Sequence, residues 1–230
     1  ETPTEEKLTE EKEINTEKEE INNIDDSKKI EEVAQGFKDV QELKEYKIQI
    51  KEKSGYYDIF FLKNEEVDGE FNLDTTSKSC WYVVTHSYIE NSDSAKYGPF
   101  GYDLLIELGT LLGYWVAPSY NPSGTLSNKP TKGEDAIFVW IYYDNKRSDL
   151  RKKQIPECGD DKGRAKTLSS FRTMYRMPEE TKETHRSAIT KMYQKDPLFL
   201  SKLKIAGMLE APQAVMDMIP GEEKKGAYQK

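Results

Sequence analysis

Apolar and polar positions change period several times along this 230-residue chain, and each change predicts an element. Over residues 28–46, Ile30, Val33, Phe37 and Val40 recur at steps of three and four, which is one face of a helix. Ser27 caps that helix, and Gly36 weakens it by about 1 kcal/mol relative to alanine. The period then falls to two. Ile48 and Ile50 alternate with Lys47, Gln49 and Lys51, as in an edge strand with one wet face. Ser54-Gly55 turns the chain, and residues 56–62 (YYDIFFL) return as a second strand. Asp68-Gly69 is another turn signal, and residues 80–88 (CWYVVTHSY) predict a third strand, rich in β-branched and aromatic residues.

Helical period returns over residues 102–115. Leu104, Leu105, Leu108, Leu111, Leu112 and Trp115 share one face, with Asp103, Glu107 and Thr110 on the other. Residues 116–134 hold three prolines and two glycines and read as a long loop, functional or partner-facing. Residues 136–143 (AIFVWIYY) are apolar on both faces, which predicts a central strand covered on both sides. The order α-β-β-β-α-β places the chain in the α+β class. The expected architecture is a mixed or antiparallel sheet of about four strands with one or two packed helices, plus extended N- and C-terminal arms.

The two flanks differ from this middle. Residues 1–26 form an acidic low-complexity arm whose only apolar positions, Leu8, Ile14, Ile21 and Ile24, are too sparse to bury a face. Beyond Asn145, Ile155-Pro156 and Cys158-Gly159 carry turn chemistry. Pro178 opens a helix through Tyr193, and Asp196-Pro197 opens another with Leu198, Leu203, Ala206 and Leu209 on its apolar face. Pro212 kinks or restarts that last helix. Three segments result: the arm at 1–26, an α+β core at 27–146, and a basic, partly helical extension at 147–230.

Composition sharpens this division. Of 25 aromatic residues, 18 fall between Tyr56 and Tyr143, so one core is expected there. Residues 1–53 carry 17 acids against 10 lysines, and residues 54–146 carry 13 acids against 6 lysines. Residues 147–230 reverse the sign, with 18 bases against 12 acids, and hold all six arginines. Guanidinium suits planar, multidentate contact with carboxylate or phosphate, so this last third reads as a docking surface. Its densest stretch is 162–176, where Lys162, Arg164, Lys166, Arg172 and Arg176 are interleaved with Phe171 and Tyr175. Lys162, Arg164, Lys166, Arg172, Tyr175 and Arg176 are the candidate partner-binding residues. They suit an acidic protein surface first, and RNA phosphates or anionic lipid less well, because the first 146 residues are acidic.

Catalytic signals are thin. The sequence has no P-loop, GxGxxG, GxSxG or HExxH, and only two histidines, His86 and His185. Cys80 and His86 share a strand face but stand about 20 Å apart along it. Cys80 and Cys158 form no CxxC pair and no disulfide framework. No catalytic, cofactor-binding or metal-ligating residue is assigned. No apolar run reaches the ~20 residues of a membrane span. The chain opens at Glu1 rather than Met, which suits a processed organellar or exported protein. Polar extensions that build no core are expected to clamp neighbours, so the expected function is a non-catalytic accessory subunit of a multiprotein assembly. The alternatives are an RNA-contacting subunit of an organellar ribonucleoprotein and a small soluble enzyme using the 116–134 loop.

Overall fold

A computed structural model describes residues 27–36, 39–76, 81–89, 98–118, 136–154 and 183–221. The first elements are a helix α1 over 27–34 and a 3-10 turn at Val40–Leu43. Strands β1 (Tyr46–Lys53), β2 (Tyr56–Lys63), β3 (Glu66–Asp74) and β4 (Trp81–Ile89) follow. Next come α2 (Gly98–Leu111), β5 (Trp115–Pro118), α3 (Ala136–Lys146) and β6 (Arg151–Gln154). The chain continues through α4 (Glu183–Ile189), β7 (Lys191–Gln194), α5 (Leu198–Ile205), β8 (Leu209–Glu210) and α6 (Gln213–Met218).

All eight strands join one sheet in the order β6-β7-β5-β4-β3-β2-β1-β8. Strands β1 to β4 form an antiparallel meander. Strand β5 then runs parallel to β4, with α2 as the crossover between them. Strand β7 is antiparallel to both β5 and β6, and β8 closes the far edge parallel to β1. The protein is therefore α+β with a mixed sheet, and short strands widen that sheet beyond the four long ones.

One face of the meander is apolar. Ile48, Ile50, Ile59, Phe61, Phe71, Leu73 and Val84 are all buried, at the period of two that their spacing requires. Helix α2 lies in this core, and its residues from Gly98 to Gly109 are all buried, Asp103 and Glu107 included. Its end is fixed by Gly113, which adopts φ +84° after the last turn. Gly101 sits so close to Phe71 that a Cβ there would overlap the ring.

Five expectations need correction. The helix expected over 28–46 is broken after residue 34. Asp39 starts a separate 3-10 turn with a capping box to Glu42, and Tyr46 already belongs to β1. Asp68 and Gly69 are not a turn but part of β3. The turn lies at Asn64-Glu65, both with positive φ (53° and 66°), as a two-residue hairpin loop demands.

Residues 136–143 form a helix, not a strand. Phe138, Val139, Trp140, Ile141 and Tyr143 are buried, so the segment is apolar on both sides because most of its circumference is covered. The Trp140 ring meets Tyr102, Tyr143 and Tyr193 at 5.3, 5.8 and 5.2 Å between centroids. Finally, the core does not stop at Lys146. Strands β6 to β8 complete the sheet, and Tyr193, Leu200, Leu203, Leu209 and Val215 share the same core as the meander. Among the described residues, the helix expected from Pro178 to Tyr193 covers Glu183–Ile189 and stops before Lys191–Gln194, which form a strand. Pro212 does restart the last helix, as expected. The acidic arm at 1–26, most of the 116–134 loop, the basic stretch 162–176, Cys80 and Cys158 lie outside the described residues.

Candidate functional site

One arrangement among the described residues gathers chemistry, a buried ionic network on α2. Lys195, just past β7, is 3% exposed, and its Nζ donates to Glu107 Oε1 at 2.5 Å. Glu107 Oε1 also accepts the Phe199 amide at 3.1 Å, and Oε2 accepts the Leu200 amide at 2.8 Å. The carboxylate thus serves the first turn of α5, where backbone donors lack helical partners. Burial pushes the Glu107 carboxyl above its ordinary range, against the pull of Lys195 and those two amides.

One turn earlier on α2, Asp103 Oδ2 lies 3.2 Å from Arg147 Nη1 and 3.8 Å from Lys195 Nζ. Arg147 is also held by Asp149 in a two-pronged contact of 2.7 Å on each prong, and lies over the Tyr143 ring at 5.1 Å. Tyr143 donates its hydroxyl to the Pro99 carbonyl. Burial first, then the nearby Asp103 charge, raises the Tyr143 hydroxyl well above the usual phenol. With Glu107 fully buried and Lys195 nearly so, no substrate reaches these two groups without local opening. The network ties β7, α5 and α3 to α2, and its role is structural.

Strand β5 pairs with β4 from Trp81↔Trp115 to Val84↔Pro118, where its described residues end. Strand β4 continues to Ile89, paired on its other side with β3. A register shift marks the same place. Leu73 pairs with Val84 and Asn72 with His86, so Thr85 is an extra residue that bulges from β4.

Gly101, in the first turn of α2, packs on Phe71, and Phe71 is the register partner of Ser87 on β4. No acid lies in that first turn, so the positive end of the helix is not neutralised by its own side chains. The chain leaves the described structure after Ile89, Pro118 and Gln154 at the same end of the sheet, since β4, β5 and β6 run in one direction.

The six partner-binding candidates Lys162, Arg164, Lys166, Arg172, Tyr175 and Arg176 all fall outside the described residues. Their place in the chain is still informative. They lie in the connection between β6 and α4, and β6 is the edge strand of the sheet, itself carrying Arg151, Lys152 and Lys153. His86 pairs with Asn72 in the β3–β4 register. Among the described residues no group of three or more His, Cys, Asp or Glu is placed to hold a metal ion, and no helix is long and apolar enough to cross a membrane. No known protein family, curated protein or solved structure matches the chain.

Proposed function

We propose that the chain is a non-catalytic accessory subunit of a larger protein assembly, docked through the basic end of its sheet. The observation that carries this reading is the edge strand β6, which carries Arg151, Lys152 and Lys153 and leads along the chain into the basic stretch 162–176. Clustered guanidinium and ammonium groups suit contact with an acidic protein surface. Replacing Arg164, Arg172 and Arg176 together by glutamine is expected to leave the melting temperature unchanged while weakening association with an acidic protein partner. Unchanged association, or loss of the fold, would overturn the reading. A steep, log-linear salt dependence flattened by the triple change would point to RNA instead.

A further inference from the structure

Helix α5 turns apolar residues outward as well as inward. Leu200 and Leu203 are fully buried, and Phe199 packs against the same core. Leu198 is 50% exposed and Ile205 is 59% exposed, more than any other large hydrophobic side chain among the described residues. Seven positions apart, these two stand on one stripe of the helix, separated by about 10 Å along its axis. Lys202, four positions after Leu198 and three before Ile205, lies on that stripe between them, with its side chain 37% exposed. The stripe therefore reads apolar, cation, apolar.

Its surroundings are built. On one flank, Ser201 Oγ donates to the Pro220 carbonyl, and Lys204 Nζ donates to the Met216 and Ile219 carbonyls, which fastens the end of α6 to α5. On the other, Lys202 Nζ stands 3.7 Å from Asp39 Oδ2, an exposed pair that contributes little. An ammonium group carries three donors, so Lys202 can serve a second carboxylate as well. Asp39 lies shortly after α1, so the chain that follows the N-terminal arm already runs beside α5.

A second copy of α5 is a poor occupant. Packed antiparallel about a two-fold axis, the apolar ends would match, but the two Lys202 ammonium groups would meet at the axis. The chain's own arm, residues 1–26, has the complementary order. It lies outside the described residues, and it carries 11 acids against 3 lysines, whereas α5 carries two lysines and no acid. On a helix, Ile14, Glu17 and Ile21 fall on one stripe that reads apolar, anion, apolar. Run antiparallel to α5, this stripe sets Ile21 against Leu198, Glu17 against Lys202 and Ile14 against Ile205. Run parallel, it sets Lys18 against Lys202, so charge selects the antiparallel direction.

We propose that the N-terminal arm folds back on its own chain as a helix and seats Ile14, Glu17 and Ile21 antiparallel on the outward stripe of α5. This goes beyond the docking reading above, which concerns the basic stretch. Residues 22–26 provide the reversal, spanning up to roughly 17 Å between the seated helix and α1. Two isoleucines are too sparse to hold a separate partner. A tether raises the effective concentration of the arm to about the millimolar range, where two apolar contacts and one ion pair suffice.

Methyl NMR of the full chain reads the contact directly. Cross-peaks joining Ile14 to Ile205 and Ile21 to Leu198 are expected, and dilution is expected to leave them unchanged. Lys202→Glu is expected to remove them, and Glu17→Lys in the same chain to restore them. Glu19→Lys makes the same change of charge on the far side of the arm helix, and it is expected not to restore them. Thermal melting checks that the Lys202→Glu chain keeps its fold. Ile14→Ser combined with Ile21→Ser, which leaves α5 untouched, is expected to shift the Leu198 and Ile205 methyl signals and serves in its place if it does not. Absence of the cross-peaks, or equal restoration by Glu19→Lys, overturns the proposal. Cross-peaks that fade on dilution overturn it too, and assign the stripe to the arm of a second copy.

Discussion

Glu107 and Lys195 show how a buried ion pair is kept and what it costs. The pair is almost fully removed from water, and both oxygens of Glu107 are already committed to α5 or Lys195. Removing one partner leaves the other charge buried and uncompensated, which costs about 3–5 kcal/mol, so Lys195→Met should lower the denaturation midpoint steeply. Glu107→Gln combined with Lys195→Met should cost less than the sum of the single changes, because neither leaves a charge behind in the double variant. Chemical denaturation of the four chains closes the cycle. The pH dependence has a definite sign. Since the folded chain raises the Glu107 carboxyl above its ordinary value of 4.5, the stability this group contributes is fullest below that pH. It declines as pH rises through the folded midpoint. Glu107→Gln should flatten that part of a stability profile measured from pH 4 upward.

At the scale of elements, α2 against β3 is the tightest fit. A Cβ at Gly101 would overlap the Phe71 ring, and neither backbone can withdraw from a filled core. Gly101→Ala should therefore destabilise by about 1–3 kcal/mol through overpacking. Phe71→Leu in the same chain should recover part of the loss, as read by thermal melting. This helix was legible in the sequence, because Leu104, Leu105 and Leu108 fall on one stripe. The stripe did not reveal that the polar face, with Asp103 and Glu107, is buried too. That depends on Arg147 and Lys195, which arrive from far along the chain. Helix α3 was misread for a related reason. An apolar run without a wet face carries no period, and the β-branched and aromatic residues in it tipped the choice toward strand. Strand β3 was hidden by Asp68-Gly69, a turn pair that here lies at a register shift between β2 and β3.

At the scale of the whole molecule, the final third is part of the sheet. Strand β7 is inserted between β5 and β6, and β8 pairs with β1 from the opposite end of the described chain. A chain ending at residue 146 would leave β5 without a neighbour on one side and Glu107 without Lys195. Such a fragment should melt without a cooperative transition and bind hydrophobic dyes, whereas a domain complete at 146 would melt as sharply as the full chain. The same insertion sets a timetable during synthesis. Val116 must wait for Tyr193, and the Ile48 amide must wait for the Met208 carbonyl, before either edge is paired. At ribosomal speeds of roughly 5–20 residues per second, the first of these waits lasts on the order of several seconds. Throughout it, the nascent chain presents two bare sheet edges and an aromatic core without its last layer. Cells making this protein thus face a fixed interval of vulnerability to aggregation, and a slower codon run before residue 193 should lengthen it.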